Sequence, residues 1–313
     1  MQLAVVILNW NAVTDTVRCV RSVLCWERLR PPVWVVDNAS TDGSLKVIAR
    51  EFPEARVIRN STNLGFAGGN NRGILGALSV ADAPILLLSN HARIEEDDVI
   101  RLLETLKARE QIGLIGPLLF DAFEKDRLLA AGRRNPALYH RWEIAKMPTG
   151  EPVQVFECLP GSVVLVRDKV FRQVGLLDVD YFYGNTVADL CLRARQHGYL
   201  SAVDARARAL YEPRRSSEFR DALYTYYIVR NRFLLIRKFY RRWSPLLYSF
   251  WVLRCTAQSV TARLNGSRST AQAIWLGLHD GLRGRSGDQN KRVMDIFFSA
   301  GGRSGGWMEI PRL

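Results

Sequence analysis

The chain has no cysteine pattern to build on. Its five cysteines, Cys19, Cys25, Cys158, Cys191 and Cys255, are odd in number and scattered, with no C-x-x-C pair. That argues against a disulfide scaffold and against a zinc site, and it fits a reducing compartment. A run of roughly 18 apolar residues is also missing, so a transmembrane helix is not expected. The start, Met1 to Leu8, is apolar but short, has no basic stretch and runs directly into polar residues. It reads as a strand and not as a signal peptide. Acidic residues are scarce only in the last third: residues 214–313 hold 18 Lys+Arg against 6 Asp+Glu, and residues 1–213 hold 26 against 25. Most of the net +13 therefore sits at one end. What is present is ordinary globular material: 313 residues, 48% hydrophobic and 24% charged, which excludes disorder, collagen and low-complexity arrays. One large α/β domain or two smaller ones fit that length.

Leu3 to Leu8 is a continuous apolar run, the mark of a strand buried on both faces. Apolar residues at helical spacing follow from Thr14 to Leu24. Val33 to Val36 forms a second buried strand ending at Asp37, and a helix is expected over Ser44 to Glu51 after a capping turn. A short strand over Ala55–Arg59, a Gly/Asn-rich loop over Asn63–Asn71, a helix to Val80 and a buried strand over Ile85–Leu88 complete the first third. This alternation predicts a parallel sheet with right-handed crossovers. Ligands of such sheets bind beyond the carboxyl ends of the strands, where Asn9, Asp37 and Ser89 fall. Farther on, a helix is expected over Val99–Leu106, a strand over Ile112–Leu119, irregular chain over 121–157, and a strand over Gly161–Val166. Helices follow over Arg167–Val174 and Val187–His197. From Phe219 the pattern is helical, with breaks at Pro245 and Gly266.

Asp37 to Ser44 joins a buried strand to a helix start. A carboxylate there can accept hydrogen bonds from a base or ribose, and the helix N-terminus favours anions; a plain capped turn is the other reading. In Asn63 to Gly73, Gly65, Gly68 and Gly69 would let the backbone approach a ligand. The stretch is not G-x-G-x-x-G, which counts against a nicotinamide site. Together with Val5-Val-Ile-Leu-Asn-Trp-Asn11, Pro160 to Arg167, Val174 to Asp178 and Asp189 to Tyr199, these segments resemble the family 2 glycosyltransferases, above all the rhamnosyltransferase-like bacterial members. The resemblance covers roughly residues 1–240. It implies a GT-A fold, an α/β nucleotide-diphospho-sugar transferase sheet, with C-terminal basic helices here. It also implies inverting transfer of a hexosyl or deoxyhexosyl group from a UDP- or dTDP-linked sugar to a lipid-linked or polysaccharide acceptor. The donor-binding residues it implies are Asn9, Asn11, Asp37, Asn38, Asp42, Asn63, Gly65, Gly69 and Asn70, with Asn90, His91 and Arg93 at the diphosphate edge.

The chain departs from the family where chemistry is expected. The family commonly carries Asn-Pro-Asp after the fourth strand, its last Asp helping to hold Mg²⁺ or Mn²⁺. Here the run is Ser89-Asn-His-Ala-Arg93, and aligning the next helix sets Ala92 at that Asp. Alanine offers a hard cation no oxygen, so no metal ligand is assigned. Arg93 could neutralise diphosphate directly or pair with Glu95 or Glu96. The family's Gly-Glu-Asp-x-Asp before Leu-Cys is here Gly184-Asn-Thr-Val-Ala-Asp189, with Thr186-Val187 replacing the acidic pair. Asp189, Asp178 and Asp180 are the remaining candidates for the base, and Asp189 equally suits a structural place at its helix start. Arg214 and Arg215 could hold phosphates or lie exposed. A degenerate chain that binds nucleotide sugar or assembly partners without catalysis is the alternative.

Between Arg214 and Arg254 ten cations interleave with aromatics such as Tyr226, Tyr227, Phe239, Trp243 and Trp251. That pattern suits stacking on nucleobases or a helix in an anionic membrane interface. The resemblance of Tyr227 to Phe233 and Gly277 to Gly287 to the continuation of bacterial family members favours the membrane, so a nucleic-acid partner is not expected. A helix packed on its own domain is compatible with both. The expected organisation is a transferase domain over 1–215, a basic, membrane-associating helical extension over 216–298 and a loose tail over 299–313, with the protein peripheral on the cytoplasmic face of the cell membrane.

Overall fold

The computed structural model describes residues 2–133, 136–138, 150–212 and 218–300. The chain divides into two compact units, Met1–Leu177 with Val187–Arg214, and Asp178–Thr186 with Arg215–Leu313.

The first unit is built on one sheet. In chain order it contains β1 (Ala4–Asn9), α1 (Val13–Leu24), β2 (Val33–Asp37), α2 (Ser44–Glu51), β3 (Arg56–Arg59), α3 (Gly65–Leu78), β4 (Ile85–Ser89) and β5 (Ala92–Ile94). Then come α4 (Glu96–Ala108), β6 (Ile112–Asp121), β7 (Leu128–Ala130), β8 (Val153–Phe156), β9 (Val163–Val166), α5 (Asp168–Val174), α6 (Thr186–Gln196) and β10 (Leu200–Tyr211). The strands lie in the order β3-β2-β1-β4-β9-β6-β10-β5, with β7 beside β6 and β8 beside β10. β3, β2, β1 and β4 are mutually parallel, as the alternation predicts. Beyond them the sheet is mixed, because β9 runs antiparallel to both β4 and β6. The stretch 121–157, expected to be irregular, contains β7 and β8, which pair with long neighbours. The apolar strands are buried: Val5, Val6, Ile7, Val35, Val36 and Leu86 have no exposed surface.

The Gly/Asn-rich stretch is a helix and not a loop. α3 begins at Gly65, whose φ is +70°. Its glycines serve packing. A Cβ on Gly69 would stand 2.4 Å from Leu8 Cδ1, and one on Gly73 2.5 Å from Val6 Cγ1 and 3.0 Å from Val36 Cγ2. At i, i+4 spacing they form a flat face that lets the helix axis approach β1 and β2. The close approach at Gly69 is therefore to the sheet.

The second unit is helical: α7 (Glu218–Phe239), α8 (Ser244–Leu264), α9 (Arg268–Leu282) and α10 (Asn290–Ala300). Pro245 and Gly266 fall at the ends of α8, as expected. α7 buries two of its cations, Arg230 and Arg232, and leaves Arg237 and Lys238 exposed. Arg230 is fully buried and donates to the carbonyls of Asp180, Tyr181 and Gly287 at 3.1, 2.9 and 2.6 Å. Its guanidinium lies 4.8 Å from the Tyr227 ring centre, and Asn231 donates to the carbonyls of Tyr181 and Tyr183. Burial pushes Arg230 below its ordinary value, while the neighbouring Tyr226 and Tyr227 act in the other direction. This arginine is thus a staple: one side chain satisfies carbonyls from segments 180–181 and 287. Arg230→Met leaves those carbonyls unpaired and should cost about 3 kcal/mol or more of stability, read by chemical denaturation. An unchanged midpoint would show that water replaces the guanidinium.

Candidate functional site

The site begins with register. Asn9 pairs with Asp37 across β1 and β2, and Leu8 pairs with Ser89 across β1 and β4. Three parallel strands therefore finish level, with polar residues at their carboxyl ends. Asn9 and Asp37 are both buried, so their side chains need partners. Asn9 Nδ2 donates to Asp37 Oδ1 at 2.8 Å and to Ser40 Oγ at 3.0 Å. Asn9 Oδ1 accepts from Thr16 Oγ1 at 2.6 Å, and Asn90 Nδ2 donates to that same hydroxyl oxygen at 2.9 Å. One chain of hydrogen bonds thus runs Asp37, Asn9, Thr16, Asn90, joining β2, β1, α1 and the turn after β4.

The turn after β2 is locked to the turn after β1. Asn11, at φ +47°, accepts from Thr41 N at 2.8 Å, and its own N–H donates to Ser40 Oγ at 3.0 Å. Asp42 accepts from the backbone N–H and hydroxyl of Ser44 and from Val13 N at 3.3 Å, so it caps the starts of both α2 and α1. Burial raises the Asp42 carboxyl, but hydrogen bonds from Ser44 and Val13 outweigh it and leave it below the usual range. Asn38 is spent internally. Its Oδ1 accepts from Asn60 Nδ2 and Leu64 N, and its Nδ2 donates to Asn63 Oδ1 and the Gly65 carbonyl. Asn70 is buried and donates to the Phe66 carbonyl at 2.8 Å. Asn38, Asn63, Gly69 and Asn70 therefore build the wall, whereas Asn9, Asn11, Asp37, Asp42 and Asn90 lie along the strand-end edge.

The turn between β4 and β5 borders a small open cavity of about 10 Å³, lined by Asp15, Arg18, Cys19, Asn90, His91, Ala92, Arg93 and Glu212. His91 Nδ1 lies 3.3 Å from Asp15 Oδ2. Arg18 bridges Asp15 at 2.5 Å and Glu212 at 3.0 Å, with its Nε buried and unpartnered among the described residues. Arg93 is exposed on the rim, and Glu96, one of the two acids offered as its partner, caps the 27–29 turn and binds Arg28. Ala92 is different. It has no exposed surface and belongs to the hydrophobic core with Ile94 and Val99. His91 and Ala92 both line the cavity, and Ala92 brings no side-chain oxygen to it. Within β5, Ala92 and Ile94 are buried and Arg93 between them is exposed.

A divalent cation at this edge would need several oxygen donors. Among the described residues no group of three His, Cys, Asp or Glu is placed to hold a metal. The two carboxylates beside His91 are already engaged by Arg18, so the donor set does not fit such an ion.

The candidate bases are each engaged by other side chains or backbone. Asp189 has no exposed side-chain surface and pairs with Arg193 at 2.6 Å, while Arg193 also donates to the carbonyls of Val174 and Leu176. This is the structural role that its helix-start position allows. In the helical unit, Asp178 accepts from Asp180 N and from Lys238 Nζ at 2.7 Å, and Asp180 accepts from Ser286 Oγ at 3.1 Å. Arg214 and Arg215 lie outside the described residues. Asp15, Thr16, Arg18, Ser40 and Glu212 were not foreseen as site residues. A signal existed for Asp15 and Thr16, which sit in the helix start after the first strand end; Glu212 lies too far along the chain to have carried one.

The sequence profile of the family described as "Glycosyl transferase family 2" matches residues 4–163. N-acetylglucosaminyl-diphospho-decaprenol L-rhamnosyltransferase of Mycobacterium tuberculosis is 27% identical over 210 residues, 59% of this chain and 67% of that protein. dTDP-rhamnosyl transferase RfbF of Shigella flexneri is 25% identical over 267 residues, 82% of this chain and 87% of that protein. The mannosyltransferase PcManGT of Pyrobaculum calidifontis, solved with GDP-Man and Mn²⁺, superposes with a TM-score of 0.56 at 13% identity, over 97% of this chain and 81% of that one. That likeness establishes a shared fold.

The placement of residues 91 and 92 is testable by stability. Ala92→Asp buries an unpaired carboxylate among aliphatic side chains and should cost about 3 kcal/mol or more in chemical denaturation, with His91→Asp within about 1 kcal/mol of the parent. Equal effects would mean that residue 92 also reaches solvent.

Proposed function

Since this chain belongs to glycosyl transferase family 2, we propose that it moves a hexosyl or deoxyhexosyl group, with inversion, from a UDP- or dTDP-linked donor to a lipid-linked or polysaccharide acceptor. The observation that carries this reading is the level polar edge at the carboxyl ends of β2, β1 and β4, where Asp37, Asn9 and Asn90 are joined through Thr16. Asp37 is the acceptor for base or ribose donors, and Asn9 fixes its orientation. Asn11 and Asp42 hold the adjoining turn. The names of the Mycobacterium and Shigella relatives support a deoxyhexose donor, dTDP-linked in the second, and a polyprenyl-diphosphate-linked acceptor in the first. Such an acceptor places the protein at a membrane surface, on the cytoplasmic face where nucleotide sugars are made, although no described helix is long and apolar enough to cross one.

Departure of the nucleoside diphosphate requires positive charge aimed at its oxygens. Arg93 on the cavity rim and Arg18 beneath it are the cations in place, and they offer the planar donors that suit phosphate. Donor binding is accordingly independent of divalent metal. A second reading, donor binding without transfer, draws on the burial of Asp189 and on Thr186-Val187 where the family carries its acidic pair.

Calorimetry with UDP, dTDP and GDP, followed by turnover of the corresponding sugars with a polyprenyl-diphosphate acceptor, tests the proposal. Asp37→Asn should weaken nucleotide binding by about 1–3 kcal/mol, roughly 5- to 150-fold. No binding by any of the three nucleotides would overturn the reading, and binding without turnover would select the second one. Chelator should leave the parent's nucleotide affinity unchanged. His91→Asp adds a third carboxylate beside Asp15 and Glu212 and should make affinity rise with Mn²⁺. A parent whose binding collapses in chelator would refute the arginine-based account.

A further inference from the structure

Residues 222–279 contain nine Lys and Arg and not one Asp or Glu. Helix α8 lies inside that stretch. Its inner face is committed to its own unit: Trp251, Cys255 and Ser259 are buried, Arg232 stacks 3.9 Å from the Trp251 ring centre, and Ser259 Oγ donates to the Ala271 carbonyl. Its outer face is apolar. Leu246, Phe250, Leu253, Val260 and Leu264 are 66%, 44%, 73%, 52% and 82% exposed, and Trp243 just before the helix is 59% exposed. With Ala257, the helical positions recur at intervals of four and three. At 3.6 residues per turn they fall within an arc of about 80° opposite the buried side.

We propose that this face of α8 is a docking surface for an anionic lipid bilayer, on which the helix lies flat. The inference rests on the membrane reading above and narrows it to one face. Charge selects the occupant. Arg254 and Arg263 project on opposite sides of the apolar stripe, where they would meet lipid phosphates while the stripe enters the acyl boundary. Arg241 and Arg242 are exposed at the N-terminal end of α8, where the helix dipole is positive and the first turn holds no acid. Cations there are unfavourable unless an anion covers them. A second copy of the chain supplies no such anion, since two α8 helices would align arginines with no carboxylate on either to pair. Trp243 suits head-group depth. The length of α8, about 31 Å at ~1.5 Å per residue, gives a long contact without a span.

The test is flotation of the full chain with vesicles of phosphatidylcholine alone and of phosphatidylcholine with phosphatidylglycerol. The parent should float with the anionic vesicles only, and less at high salt. Leu246→Ser/Leu253→Ser/Leu264→Ser alters exposed positions alone. It should keep the melting temperature and nucleotide affinity while losing about tenfold or more in partition. Arg254→Gln/Arg263→Gln should weaken partition and flatten its salt dependence. If the triple variant floats like the parent, the docking face lies elsewhere and the membrane reading stands. If the parent itself does not float, both fall. If the triple variant instead converts a dimer to a monomer in light scattering, the face pairs two copies and the proposal is wrong.

Discussion

The buried contact between Asn9 and Asp37 is the constraint on which the candidate site depends. Two polar side chains at the ends of adjacent strands have been taken out of water, and each must be satisfied by the other and by what surrounds them. Asn9 meets this by using its amide nitrogen on Asp37 and its oxygen on Thr16. The Thr16 hydroxyl then reaches Asn90. Each link comes from a different element, so the network fixes α1, β1, β2 and the β4–β5 turn relative to one another. Slipping one strand by a residue would exchange these polar ends for apolar ones, which is why the level finish of the strands and the network require each other.

The parallel core was legible because buried strands are written as unbroken apolar runs, and β1, β2 and β4 begin and end within a residue or two of those runs. Their ends were legible for the same reason: the first polar residue after such a run falls at the edge. The glycines of α3 were not. Gly69 looks like a ligand-approach glycine in sequence, and only the third dimension shows that the close approach there is to Leu8, as at Gly73 it is to Val6 and Val36. Period and packing conflict there, because a helix rich in glycine has weak intrinsic propensity and exists through what it lets touch. The partners of Asn38 were hidden too, since a side chain that satisfies four backbone and amide groups looks no different in sequence from one that binds a ligand.

The basic third shows the same limit from the other side. Its charge was counted correctly, yet charge counts do not distinguish Arg230, buried and bonded to three carbonyls, from Arg254, exposed on α8. The guanidinium of Arg230 can be buried because it meets carbonyl oxygens in several directions and two tyrosine rings besides. A lysine could match neither the number nor the planarity of those contacts. The aromatic residues interleaved with the cations divide in the same way. Tyr226, Tyr227 and Trp251 are core, while Trp243 and Phe250 face outward.

The turn after β4 shows how packing and chemistry meet in adjacent residues. At residue 92, where an acid was expected, a buried alanine packs with Ile94 and Val99, and His91 beside it faces Asp15. Imidazole is a poorer partner for hard cations than carboxylate, and the carboxylates it faces already hold Arg18. An alanine where an acid was expected leaves one negative charge fewer beside Arg18 and Arg93. The alanine at residue 92 and the presence of Arg18 and Arg93 thus belong to one electrostatic arrangement: under the proposed function, a site with one anion fewer attracts the donor's own negative charge directly.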